Sequence, residues 1–211
     1  MDNKCGGIIS VMIADDHPLL RSGIAAVLAA DPRFAVVAEA SDGDLALELY
    51  QRFRPDVTLM DLQMPGLNGI DATIAIRNIN PQARIIILTT YGGEVQVARG
   101  LKAGASGYIL KNMARTELSQ YILSVHAGRQ QLAPQLACSL ASSFQQDTLS
   151  KREIQVLRVV ADGNSNQRAG TQLGLSEDTI KAHMKTILQK LDARDRTHAV
   201  MIAMRRGYWE T

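Results

Sequence analysis

Cysteine and long apolar stretches are both scarce in this chain, and each shortage narrows its class. Cys5 and Cys138 are its only cysteines and stand far apart. They offer neither a metal-ligand spacing nor a disulfide framework, so a reducing compartment is expected. No apolar run approaches the roughly 20 residues needed to span a bilayer. Residues 1–7 lack the sustained hydrophobic region of a signal peptide. The expectation is a cytoplasmic protein with no membrane partner. There is no internal repeat or low-complexity tract, and no strand candidate beyond residue 149.

What is present is ordinary globular material, 46% hydrophobic and 21% charged, over 211 residues, a length that fits two small domains. The net charge of +2 conceals an asymmetry. Residues 1–128 carry 11 Lys and Arg against 13 Asp and Glu, whereas residues 129–211 carry 12 against 8. The acidic half suits a cation, and the basic half suits nucleic acid.

The first half alternates apolar runs with helical periodicity. Residues 8–14, 34–39, 57–61, 84–88 and 106–110 read as strands. The helices between them are stopped at Asp31-Pro32, Arg54-Pro55 and Asn80-Pro81. Repeated βα units predict a parallel sheet wrapped on both sides. Four of the runs lead into Asp15-Asp16, Asp61, Thr89 and Lys111. In such a sheet the carboxyl ends of the strands face one crevice, where ligands bind.

Those residue types suit phosphoryl chemistry. Asp15 and Asp16 can hold Mg²⁺, a hard cation bound through one or two carboxylates. Asp61 can ligate the same ion and attack phosphorus, and the backbone carbonyl of Gln63 can add an oxygen ligand. The Thr89 hydroxyl and the Lys111 ammonium can bond the transferred phosphoryl oxygens. Singly, each residue could as well be a helix cap, a strand end or a surface charge; it is their joint placement that favours the chemistry. A phosphohydrolase using Asp61 as nucleophile would want a second carboxylate two residues on, as general acid, and Gln63 stands there. A fold of this kind serving only as a dimerisation scaffold is the other rival.

Residues 128–147 show no strong period and read as a linker, partly helical around 135–141. Ser150 and Glu153 form a capping-box signature before an apolar helical series. Shorter helices follow, and Ser176 caps one running to Leu191. Ile180, Met184, Ile187, Leu188 and Leu191 share its apolar face, opposite Lys181, Ala182, Lys185 and Gln189. Spacing alone allows a helix-turn-helix or an amphipathic helix with a solvated basic face.

Residues 8–127 resemble the receiver domain of two-component response regulators. That resemblance implies an α/β flavodoxin-like fold, a doubly wound parallel five-stranded sheet. It makes Asp61 the phosphoacceptor, Asp15 and Asp16 the Mg²⁺-binding pair, Thr89 the switch hydroxyl, Lys111 the phosphate-binding lysine and Tyr108 the switch aromatic. The motifs Leu149-Ser150-Lys151-Arg152-Glu153, Ser165-Asn166 and Thr179-Ile180-Lys181-Ala182-His183 resemble the LuxR-type DNA-binding domain of the NarL/FixJ family. They imply an all-α four-helix helix-turn-helix domain over 148–211. DNA contacts would come from Ser176, Thr179, Lys181, Ala182 and Lys185, and dimer contacts from the last helix. Together the two resemblances imply a transcriptional regulator and not an enzyme. It would be phosphorylated by a sensor histidine kinase, bind double-stranded DNA, and form a homodimer on phosphorylation or on DNA.

Several residues depart from the family pattern. Asn112 stands where many receivers have proline, and Gly92-Gly93 should loosen the loop after the fourth strand. Ala169 and Gly170 replace larger residues in the first helix of the helix-turn-helix, where Gly costs about 1 kcal/mol relative to Ala. His183 is expected to pack at the helix edge rather than read bases.

Overall fold

The apolar runs form strands β1 (Ile9–Ala14), β2 (Phe34–Ala40), β3 (Val57–Asp61), β4 (Ile85–Thr89) and β5 (Gly107–Leu110). The computed structural model describes residues 7–90, 93–111, 115–132 and 149–209. Asn112, Gly92, Thr148 and the expected helical turn at 135–141 lie outside them. The strands are parallel, in the order β2-β1-β3-β4-β5, with a sixth, β6 (Gln131–Leu132), beside β5. This strand corrects the five-stranded expectation and the reading of residues 131–132 as linker. Without β6, β5 would present a row of open backbone groups, and any extended segment can pair with such an edge whatever its side-chain pattern. Here the Gln131 N–H donates to the Ser106 carbonyl at 3.0 Å.

Five helices cover the sheet: α1 (Pro18–Ala29), α2 (Gly43–Phe53), α3 (Gly69–Ile79), α4 (Glu94–Lys102) and α5 (Arg115–His126). Strand side chains alternate between faces, and the core divides accordingly. Val11, Ile13, Leu59, Ile86, Leu88 and Ile109 pack with Ile24 and Leu28 of α1 and Leu118, Ile122 and Val125 of α5. Their neighbours Met12, Ala14, Met60 and Ile85 pack on the other face with Ala46 and Tyr50 of α2 and Ala72 and Ile76 of α3. Each large apolar side chain buried this way contributes about 1.5–3 kcal/mol. Local caps fix the helix starts. Asp42 accepts from the Leu45 N–H at 2.8 Å, and Asn68 accepts from Ile70 and Asp71 at 3.1 and 3.0 Å.

Residues 149–209 belong to a second compact unit and form α6 (Lys151–Ala161), α7 (Asn166–Leu173), α8 (Glu177–Leu191) and α9 (Arg196–Arg206). Each helix has a side-chain cap, from Ser150, Ser165, Ser176 and Asp195 respectively. The capping box at Ser150 is complete, and its Glu153 also meets Lys190 of α8 at 3.0 Å. Val156, Leu157, Ala169, Ile180, Ile187, Leu191, Ala199 and Ala203 form the core. Gly170 has a steric reason here. A Cβ at that position would sit 2.6 Å from the Leu175 carbonyl oxygen, so its helix-propensity cost admits the tight turn between α7 and α8. His183 is half-buried, in keeping with a packing role.

Candidate functional site

The strand order reverses direction at β1, whose neighbours are β2 and β3. A crevice opens at such a reversal, at the carboxyl ends of the strands. Asp15 directly follows β1, Asp61 ends β3, Thr89 ends β4 and Lys111 directly follows β5. Asp15, Asp61 and Thr89 are buried, and Lys111 retains only 9% of its side-chain exposure.

Lys111 Nζ lies 2.9 Å from Asp15 Oδ2 and 2.7 Å from Asp61 Oδ2, so one ammonium bridges two buried carboxylates. Burial pushes the Asp61 carboxyl up to about 6, aided by the charge of Asp15 and opposed by Lys111 and by the Gln63 N–H that bonds it. Burial pulls the Lys111 ammonium down, but its bonds to Asp61 and Asp15 outweigh that and hold it above its ordinary value. The lysine is thus protonated at any physiological pH. Its own N–H donates to the Thr89 carbonyl at 2.7 Å, tying the ends of β4 and β5 together.

The chain around Asp61 is set by glycine. A Cβ at Gly69 would fall 1.9 Å from the Asp61 carbonyl oxygen, so the start of α3 presses directly on the main chain of Asp61. Gly66, at φ +70°, turns the intervening loop. Tyr108, fully buried, lies beside Gly100 of α4, where a Cβ would come 2.7 Å from the ring.

Carboxylate oxygens of Asp15, Asp16 and Asp61 and a ring nitrogen of His17 lie within 4.8 Å of one another. Three carboxylates at that spacing fit a hard divalent cation. Two residues of this site were not singled out from the sequence. His17 Nδ1 is 2.5 Å from Asp16 Oδ1, and Arg21 Nη1 donates to the Asp15 carbonyl at 2.7 Å. His17 had a signal, since it directly follows the acidic pair. Arg21 had none, because its role depends on how α1 crosses the strand end.

In the helical unit, Lys181, Ala182, Lys185 and Gln189 are exposed on α8, and Ile180, Met184, Ile187 and Leu191 are buried. Ser176 accepts from the Thr179 N–H at 3.1 Å, and their hydroxyl oxygens are 2.8 Å apart, so both serve the cap. Lys181 is held by Glu177 at 3.0 Å and Asp178 at 3.4 Å.

The sheet order, the acidic crevice bridged by a lysine and the capped helix pair define a signal-receiver domain joined to a helix-turn-helix unit. The family model for the response regulator receiver domain matches residues 11–123, and that for bacterial regulatory proteins of the luxR family matches residues 147–203. This chain belongs to the two-component response regulators with a LuxR-type DNA-binding domain. It is 34% identical to the transcriptional regulatory protein DegU of Brevibacillus brevis, over 95% of this chain and 94% of that protein. It is 36% identical to LiaR of Bacillus subtilis, over 94% and 98%. Among solved structures, the response regulator ChrA of a heme-sensing two-component system aligns with TM-score 0.60 and 36% identity, over 95% of this chain and 98% of that one. RcsB of Salmonella typhimurium aligns with TM-score 0.70 and 26% identity, over 93% and 99%. These relatives are regulators of transcription, and the present chain is likewise not an enzyme. Among the described residues, no helix is long and apolar enough to cross a membrane.

Proposed function

We propose that this response regulator is switched by phosphorylation of Asp61 from a sensor histidine kinase, with Mg²⁺, and that it then binds operator DNA as a homodimer. The receiver would span residues 8–127 together with β6, the connecting segment the remainder of 128–147, and the DNA-binding domain 148–211. As a regulator of transcription it would work in the cytoplasm.

The observation that carries this reading is the Lys111 ammonium set between Asp15 and Asp61. In the proposed transfer, an Asp61 carboxylate oxygen attacks phosphorus while the bond to the kinase imidazole nitrogen breaks, and that nitrogen leaves with the electron pair. Mg²⁺, held by Asp15, Asp16, Asp61 and the Gln63 carbonyl, would supply positive charge to the phosphoryl oxygens. Lys111 would supply more once it exchanges Asp61 for a phosphoryl oxygen. The Thr89 hydroxyl then bonds the phosphoryl group, and the inward Tyr108 follows the space that Thr89 vacates. On the DNA side, Lys181, Ala182 and Lys185 would face the major groove, with Ser176 and Thr179 at the leading end of α8.

The test is labelling of the full-length protein by a small phosphodonor with Mg²⁺, read by mass spectrometry. Wild type should gain one phosphoryl group and Asp61→Asn none. Equal labelling of the two would sink the assignment.

A further inference from the structure

The exposed stripe of α8 carries one residue that its DNA-facing role leaves unexplained. At 3.6 residues per turn, Asp178, Lys181, Ala182, Lys185 and Gln189 lie within an arc of about 100°. Asp178 sits near the middle of that arc, about one turn ahead of Lys181 and two ahead of Lys185. It is 92% exposed and belongs to the first turn of a helix capped by Ser176. Its carboxylate lies 3.4 Å from the Lys181 ammonium. A carboxylate there is repelled by every phosphate of a duplex, so it cannot serve as a backbone anchor. Favourable partners for an acceptor-only group in the major groove are the exocyclic amino groups, N4 of cytosine above all. Guanine offers N7 and O6 and thymine offers O4, all acceptors, and each would leave the carboxylate facing a like partial charge.

We propose that Asp178 is a specificity-determining residue, whose carboxylate accepts from a cytosine amino group and disfavours guanine and thymine at the base pair it faces. The inference rests on α8 being the helix that reads DNA. The neighbouring Lys181 is then oriented by Glu177 and Asp178 rather than free to sample phosphates. That pairing restrains sequence-independent binding while the carboxylate adds discrimination. Because Asp178 is almost wholly exposed, its replacement leaves the domain core untouched.

The experiment is selection of bound sequences from a random duplex library by the full-length protein, with and without beryllofluoride and Mg²⁺. Wild type is compared with Asp178→Ala, Asp178→Asn, Lys181→Ala and Lys185→Ala. Wild type should select cytosine at one position of each half-site, and replacing that base by guanine should weaken binding about tenfold or more. Asp178→Ala should flatten that position alone and bind random DNA several-fold more tightly. Asp178→Asn, which can donate as well as accept, should move the preference toward adenine. If Asp178→Ala selects the same bases as wild type at every position while the lysine variants lose affinity, the inference is overturned and α8 still reads DNA. If the lysine variants also bind as wild type does, α8 does not read DNA and the inference falls with that reading.

Discussion

The Nζ atom of Lys111 lies 2.7 Å from Asp61 Oδ2, and both side chains are almost wholly removed from solvent. Truncating one partner of such a pair leaves an uncompensated buried charge, which costs about 3–5 kcal/mol when the charge stays. Lys111→Ala leaves Asp15 and Asp61 facing each other without their counter-charge. The variant should therefore lose about that much stability at pH 8 and far less near pH 4, where Asp61 can take up a proton. Urea unfolding at the two pH values measures the difference. An equal loss at both would mean that the pair contributes packing and little charge compensation.

Asp61 itself titrates in the opposite sense from most carboxylates in a folded protein. Its pKa is raised from 3.8 to about 6 by burial, so between those values the folded chain binds the proton and the unfolded chain releases it. Stability from this group is present below pH 3.8 and is lost as pH rises through 6. In the absence of divalent ions, Asp61→Asn should be more stable than wild type at pH 8 by on the order of 2–3 kcal/mol. The advantage should vanish toward pH 4. Thermal unfolding across that range, in chelator, gives the comparison.

Mg²⁺ should reverse that penalty in wild type. At a hundredfold excess over its dissociation constant, a ligand of the folded state alone adds about 2.7 kcal/mol. Asp16→Ala should fold normally and weaken Mg²⁺ binding, since a third of the Asp16 side chain is exposed and its role is charge rather than packing. Calorimetric titration of both proteins decides it. Unchanged affinity would make Asp16 a bystander.

The two α8 lysines should separate by their salt dependence. Loss of a phosphate contact weakens binding to all sequences and lowers the salt slope by about 1, whereas loss of a base contact costs about 1–3 kcal/mol at one position. Lys181, nearer the start of α8, is expected to affect one position of the operator. Lys185, which forms no ion pair among the described residues, is expected to affect the slope. Binding isotherms of full-length Lys181→Ala and Lys185→Ala at several salt concentrations distinguish the two outcomes.

A further charge relationship stabilises the helical unit. Burial alone would raise the Glu153 carboxyl, but the Ser150 N–H at 2.6 Å and Lys190 at 3.0 Å hold it below its ordinary value. The stability it contributes is present above pH 4.5 and is lost as pH falls through the lower folded value. Glu153→Gln should cost about 1–3 kcal/mol at neutral pH and much less in acid. Denaturant titrations at pH 7 and pH 3.5 test the sign.

The parts of this molecule that were readable from the sequence are those written in local pattern. Apolar runs closing on Asp15, Asp61, Thr89 and Lys111 disclosed both the strands and the crevice, because a parallel strand buried on both faces carries almost only apolar residues and no charge until it ends. The cap of α8 and its two faces were equally plain from the spacing of Ile180, Met184 and Ile187. What escaped depends on residues distant in sequence meeting in space. The pairing of Gln131–Leu132 with β5 uses backbone alone and has no side-chain period. Gly170 looked like a defect until the Leu175 carbonyl was seen against it. Glu153 and Lys190, on α6 and α8, meet only through the fold of the helical unit. Asp178 was visible but stood outside the motif that drew notice to its neighbours.

The closeness of Gly100 to the Tyr108 ring makes helix and ring a gauge for each other's position. The ring occupies volume that any residue with a side chain would claim. Close-packed interiors do not deform by small continuous amounts. A methyl group at position 100 would stand 2.7 Å from the ring, so admitting it would require α4 to shift or the tyrosine to turn out of its seat.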